Sequence, residues 1–230
     1  MDPLDNVMWH SLGGPHLHFA EGDARARRYP PDVGPFNAVP DEPLPEHFAA
    51  LRELVGPGGV ATLFRGEVTV PDDWEVLGTI DGVQMIWPSR RPFERVDPRI
   101  VTLSDEDVDE MMSLTARTKP GPFSLRTVEL GTYLGIRLDG LLVAMAGQRA
   151  RTDGYVEISA VCTDEHHAGQ GLGRALMNAQ IGIILNEGKI PMLHTSAGNA
   201  RAIALYEYLG FRERCKVSGV IMRSSHAASE

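Results

Sequence analysis

Apolar and polar positions along the chain fall into two regimes, separated by a polar, proline-punctuated stretch over 89–99 that reads as a linker. Before it the periodic signals are short. The stretch over 29–45 carries Pro30, Pro31, Pro35, Pro40, Pro43 and Pro45, so it cannot run as a long helix or an inner strand, and it reads as a surface loop. A helix is predicted over 45–54, with proline at its start and Gly56-Pro57-Gly58-Gly59 ending it. Short strands are predicted over 60–64 and 83–87. After the linker the rhythm is stronger. Ser104 is a good N-cap ahead of Asp105, Glu106 and Asp107, which puts carboxylates at the positive end of a helix reaching about residue 115. The run over 118–123 breaks the chain. Strands over 132–137 and 141–149 flank Asp139-Gly140, a tight hairpin signal, and a third covers 155–161. A glycine loop then leads into a helix over 174–186 that Gly188 closes. A strand over 190–195, a helix over 200–209 and a strand over 211–217 complete the pattern. No fixed-period repeat is visible.

Composition narrows the class without changing this picture. The 230 residues, 43% hydrophobic and 23% charged, suffice for one large domain or two small ones. The net charge of -9 lacks the cationic footprint of a nucleic-acid or anionic-membrane binder. The first residues carry no basic-then-apolar leader, and no apolar run approaches the roughly 18 residues needed to span a bilayer. Cys162 and Cys215 are too few for a disulfide framework and read as free, buried thiols of a reducing compartment. The expectation is a cytoplasmic monomer or homodimer with neither nucleic-acid nor membrane partner.

Candidate chemistry concentrates in one loop. Gly169-Gln170-Gly171-Leu172-Gly173-Arg174 follows a strand and opens a helix. Glycines at alternate positions let consecutive backbone N–H groups turn towards one ligand, and the helix adds its unpaired N–H groups and the positive end of its dipole. That is a cradle for a pyrophosphate. A P-loop requires Lys-Ser or Lys-Thr after the glycines, where this chain has Arg174-Ala175. A dinucleotide fingerprint requires glycine at the position of Arg174. Coenzyme A remains as the pyrophosphate ligand.

Over 101–223 the sequence resembles the GNAT N-acyltransferase superfamily. The family motif Arg/Gln-x-x-Gly-x-Gly/Ala aligns with Ala168-Gly169-Gln170-Gly171-Leu172-Gly173, and Glu157-Ile158-Ser159-Ala160-Val161-Cys162 resembles the family's fourth strand. Downstream, the segment from Asn199 through Ala202, Leu205 and Tyr206 to Gly210-Phe211 resembles its Asn-x-x-Ala-x-x-Leu-Tyr-x-x-x-Gly-Phe signature. The phrases over 118–123, 142–147 and 157–162 most resemble bacterial members of the glycine N-acyltransferase-like branch. One departure stands out: Ala168 replaces the usual Arg or Gln.

The resemblance implies an α/β fold of the α+β kind, with a mixed, mostly antiparallel sheet flanked by helices. It implies a catalytic domain over 96–230 beside a smaller, degenerate α/β half over 1–95 of related fold. It implies acetyl-CoA as the acyl-donor substrate, held by the main chain of Ser159, Ala160, Val161 and Cys162 and by Ala168, Gly169, Gln170, Gly171, Leu172, Gly173 and Arg174, with Asn199 and Ala202 at the next helix. The acceptor is then a primary amine of a small molecule or peptide that attacks the thioester directly. Tyr206 is the expected acid that protonates the departing thiolate, and Glu157 the expected base, its pKa raised by an apolar strand. Tyr208 points to another helix face and reads as structural. His166 and His167, like His10, His16 and His18, read as solvent-facing, and no metal is implied. Trp9, Trp74 and Trp87 read as core or pocket wall. Arg25, Arg27 and Arg28 form a solvated face that could attract an acidic acceptor or the coenzyme's 3′-phosphate. The alternative to an enzyme is a non-catalytic acyl-CoA sensor, the reading that Ala168 favours.

Overall fold

The computed structural model describes residues 2–88 and 97–224, so most of the predicted linker lies outside the described residues. The chain opens with a 3-10 turn at Pro3–Asn6 and helix α1 (Val7–Leu12). Strands β1 (Glu21–Gly22), β2 (Arg27–Arg28) and β3 (Phe36–Ala38) follow, then α2 (Pro45–Val55), β4 (Val60–Arg65) and β5 (Trp74–Ile86). The second part holds β6 (Ile100–Leu103), α3 (Val108–Thr118), β7 (Tyr133–Leu138), β8 (Leu141–Arg151), β9 (Tyr155–Thr163), α4 (Leu172–Asn186), β10 (Ile190–Ser196), α5 (Ala200–Leu209) and β11 (Arg212–Ser224).

The eleven strands of the described residues form one mixed sheet, in the order β1-β2-β3-β4-β11-β5-β10-β9-β8-β7-β6. Its pairings are antiparallel except β3 with β4 and β9 with β10. This is the mixed, mostly antiparallel sheet expected. Strands from both sides of residue 95 share this sheet, because β5 is hydrogen-bonded to β10 on one side and to β11 on the other. The division expected at that residue therefore falls between strands of one sheet.

Two stretches differ from the sequence expectation for identifiable reasons. The proline-rich segment over 29–45 is a surface loop only in part: Pro31, Asp32 and the run over 42–45 are exposed, but Tyr29, Val33, Phe36 and Val39 are buried, and Phe36–Ala38 pairs with β2 and β4. Prolines forbid long elements but allow a short strand between them. Strand β5 begins at Trp74 rather than 83, and β11 runs on to Ser224, because the two pair along almost their whole length. Much of β5 over 75–81 is exposed, so alternation gave no signal there.

Alternation along the inner strands distributes side chains to two faces. On one face Val83, Met85, Val156, Ile158 and Leu193 pack against α4 and α5 through Met177, Ile181, Tyr206 and Leu209. On the other, Met192 and Ala150 meet Leu4, Val7, Met8 and Leu12 of the N-terminal segment, and Met145, Ala160 and Cys162 meet Met111 and Leu114 of α3. The N-terminal segment thus closes one face of the sheet near the middle of β9.

Polar groups are buried in that closure. Ser11, His16 and Tyr29 form a ring of contacts: the Tyr29 hydroxyl lies 2.9 Å from both Ser11 Oγ and His16 Nδ1, and the Arg151 backbone N–H donates to Ser11 Oγ at 3.1 Å. His16 is therefore not solvent-facing as expected. His10 also makes a contact, with Asp41, whereas His18 is exposed. Burial first, then the Arg151 charge, lowers the His16 pKa from 6.5 to about 4. Between those values the unfolded chain binds a proton that the folded chain does not, so stability falls as pH is lowered through the window. The expected slope from His16 is about 1.4 kcal/mol per pH unit. Urea unfolding across this pH range, wild type against His16→Gln, should show a shallower loss in the variant; parallel curves would contradict the assignment.

Candidate active site

Strand β9 is paired on both sides only as far as Ile158. Its parallel register with β10 runs from Ile190↔Tyr155 to Leu193↔Ile158 and stops there. Beyond that point β10 stays with β5 up to Ser196↔Gly82, while β9 stays with β8 up to Ala144↔Thr163. The two strands part and leave a slot between 159–163 and 194–196. The cause is local. Ala160 has φ +53, a left-handed value that costs an alanine roughly 1–2 kcal/mol. Three steps on β9, Ser159 to Cys162, oppose two on β8, Gly147 to Met145. One extra residue is thus inserted as a bulge, which bends the strand and turns backbone groups away from the ladder.

The glycine loop follows directly. Gly169 (φ +79) and Gly171 (φ +76) both adopt left-handed backbone, and a Cβ at either would meet nothing within 4 Å, so conformation rather than space selects glycine there. Gly171 is the N-cap of α4 and supplies no side-chain cap, which leaves the first-turn N–H groups of the helix unpartnered by side chains. Leu172 anchors this turn in the core, so it can offer a ligand only its main chain. Ala168 is extended, and Gln170 is exposed. Exposed Arg174 lies beside the Tyr208 ring, its Nη1 3.4 Å from the hydroxyl. Tyr208 is 61% exposed, so it is no packing residue but part of the loop's outer rim. His166 and His167 flank the loop at the surface side. Among the described residues no group of three His, Cys, Asp or Glu side chains gathers as a metal site.

Asn199 caps α5 through its side-chain oxygen, which accepts from the Ala202 N–H at 3.1 Å. The helix carries Tyr206 inward, 8% exposed, into the cluster that contains Ile158 and Leu193, the last paired residues before the slot. Its hydroxyl makes no hydrogen bond among the described residues, and burial pushes its pKa up to about 12. Tyr206 is therefore a protonated phenol in the cluster that also holds Ile158 and Leu193. Cys162 is a buried free thiol whose pKa burial raises to about 11, so it is not a ready nucleophile.

Glu157 departs from expectation. It lies on the opposite face from Tyr206, is 0% exposed, and forms an ion pair with the Arg149 guanidinium, itself stacked 4.7 Å from the Phe36 ring centroid. His194 Nδ1 stands 2.7 Å from Glu157 Oε1. Burial alone would raise the carboxyl pKa, but Arg149 and then His194 outweigh it and hold the group well below the ordinary carboxylate range. The raised pKa expected of a base in an apolar strand is corrected: the strand's neighbours supply charge that the sequence distance conceals.

The tautomer of His194 follows from its other neighbour. Arg214 can only donate, and it donates to Gln84 Oε1 at 2.9 Å; the Leu4 carbonyl can only accept, and it takes Gln84 Nε2–H at 2.8 Å. The Gln84 amide orientation is thereby fixed, so His194 Nε2, 2.9 Å from Gln84 Nε2, accepts. Its Nδ1–H then donates to Glu157. Sequence reasoning missed Arg149, His194, Gln84 and Arg214. The available signal was polar residues interrupting apolar inner strands, as at Gln84 between Val83 and Met85 and at His194 after Leu193. Removing the guanidinium leaves a buried carboxylate without its main counter-charge, so Arg149→Met should cost about 3–5 kcal/mol in urea unfolding. Adding Glu157→Gln should recover a large part of that loss; additive losses would contradict the pairing.

The chain's relatives bear on this geometry. The family model FR47-like protein matches residues 133–218, from β7 into β11. A crystal structure of a GNAT-family protein from Novosphingobium aromaticivorans is 37% identical with a TM-score of 0.90, covering 98% of this chain and 100% of that one. A GCN5-related N-acetyltransferase from Kribbella flavida shares the fold at 17% identity and a TM-score of 0.64, over 97% and 96% of the two chains. Mycothiol acetyltransferase of Kocuria rhizophila is 48% identical over 56 residues, 24% of this chain and only 18% of that protein. These likenesses do not carry the narrower placement in the glycine N-acyltransferase-like branch. With the Novosphingobium protein 37% identical and matched along its full length, the chain belongs to the GNAT family of acetyltransferases.

Proposed function

We propose that the protein transfers an acetyl or other acyl group from coenzyme A to a primary amine of a small molecule or peptide. The observation that carries this reading is the parting of β9 from β10 immediately ahead of the glycine loop. A slot with free main-chain groups suits the amide-rich pantetheine arm, and the loop with the α4 N-terminus suits the pyrophosphate. The main chain of 159–162 lines the slot, and that of 168–174 cradles the phosphates. Because such a cradle works through backbone amides, the loss of the usual side chain at Ala168 leaves it intact. Asn199 and Ala202, at the start of α5, complete the donor site.

Amide formation requires a neutral amine, a polarised carbonyl and a proton for the departing sulfur. Tyr206, protonated at any biological pH and clustered with Ile158 and Leu193, is the proton donor to the thiolate. The high pKa of Cys162 argues for direct attack by the amine rather than an acyl-cysteine intermediate. Glu157, ionised and enclosed, serves as the partner that orients His194 rather than as a free base.

That same enclosure favours a second reading. The Glu157 carboxylate is shut in by Arg149, and the His194 lone pair is capped by Gln84, as they would be in an acyl-CoA sensor without turnover. Thiol release from acetyl-CoA with glycine, spermidine and an alanine-initiated peptide decides between them. Release with any of the three is expected; donor binding without release across the panel would select the sensor. In an active protein, Tyr206→Phe should lower turnover about 10- to 1000-fold with donor affinity nearly unchanged. Unchanged turnover would remove Tyr206 from the chemistry.

A further inference from the structure

Tyr133 has no assigned role, yet its hydroxyl is buried without a hydrogen-bond partner among the described residues. The residue is 1% exposed. A buried hydroxyl left unsatisfied costs about 1–3 kcal/mol, and phenylalanine would fill the same space without that cost.

The position of the ring is tightly set. Tyr133 starts on β7, on the face that carries α3, and its ring crosses β8 at Gly147. A Cβ at Gly147 would lie 2.0 Å from Tyr133 Cε1 and 2.3 Å from Cζ, the atom that bears the hydroxyl, so only glycine admits the ring there. Phe123 fixes the ring edge-on, with centroids 5.7 Å apart. Gly147 is the ladder partner of Ser159, the residue before the Ala160 bulge. The ring shares an apolar cluster with Ala160 and Cys162, and its hydroxyl lies within electrostatic reach of Arg149, Glu157 and Cys162. It therefore comes from the β7 side, across β8, to the part of β9 that turns away from β10. Burial raises its pKa above the usual phenol range, so the proton stays on the oxygen.

We infer that the Tyr133 hydroxyl is a catalytic hydrogen-bond donor to the acyl oxygen of the bound thioester. The inference rests on the acyl-transfer reading above. When the amine nitrogen attacks the thioester carbon, the carbonyl π pair moves onto the oxygen. Collapse of the tetrahedral species restores that double bond and expels the sulfur with the electron pair of the broken C–S bond. The nitrogen loses its surplus proton to solvent, the sulfur takes one from Tyr206, and solvent returns a proton to Tyr206. A donor already fixed in a dry site stabilises the charge on that oxygen without reorganising. Tyr133 would act from the α3 face, while Tyr206 serves the sulfur from the other.

Isotope-edited infrared spectroscopy of carbonyl-13C acetyl-CoA bound to the full chain reads this contact without an acceptor. The carbonyl stretch should lie lower in wild type than in Tyr133→Phe, and the thermal midpoint of the variant should be equal or higher. Turnover should fall about 100-fold in the variant. Bound donor with the same carbonyl stretch in both proteins overturns the assignment and leaves acyl transfer standing. The same stretch with a lowered midpoint would mean that the hydroxyl serves the fold through a buried water, which also overturns it. Failure of wild type to bind acetyl-CoA would remove the acyl-transfer reading and the Tyr133 contact together.

Discussion

An inner strand normally has its backbone N–H and C=O groups occupied on both edges, and β9 gives up one edge after Ile158. Everything proposed for the site depends on that loss. Each unpaired group would cost about 1–3 kcal/mol if buried dry, and Ala160 adds the cost of left-handed backbone. The fold sustains both because β10 is held from its far side by β5 and β9 from its far side by β8. Neither strand needs the other to remain in place. The slot is thus a consequence of register, fixed by one extra residue opposite β8.

Two chemistries lie on opposite faces of β9. On the α5 side, Tyr206 sits among Ile158, Leu193 and Phe211, with burial as the sole influence on its proton. On the α1 and α3 side, Arg149, Glu157, His194, Gln84 and Arg214 form a continuous polar chain that ends on Asp2 and Asp5. The N-terminal segment both covers this chain and terminates it. That gives residues far from the glycine loop a direct physical hold on the strand that lines the slot.

The legibility of the sequence differed between these parts for physical reasons. The glycine loop, the Asn199 cap and the helix carrying Tyr206 are local features, written in contiguous residues, and the structure places each where the pattern put it. The mixed, mostly antiparallel sheet was implied by the family resemblance that those motifs carry, and the structure shows it. What the pattern could not carry was pairing between residues distant in sequence. Glu157 looked like a carboxylate in an apolar strand because Arg149 and His194 meet it only through the ladder and the parallel crossover. The buried positions within 29–45 and His16 looked solvent-facing because proline and histidine are read as surface residues until a tertiary partner claims them. The orphaned Tyr133 hydroxyl depends on Gly147 across the β7–β8 pair and had no sequence signal of its own.

The central claim is that the parting of β9 from β10 forms the acyl-donor site. A crystal structure of the protein with coenzyme A tests it most directly. The pantetheine arm should lie between 159–163 and 194–196, with the pyrophosphate on the backbone N–H groups of 169–174. Coenzyme A bound elsewhere, or the slot closed by pairing of β9 with β10 in the complex, would contradict it.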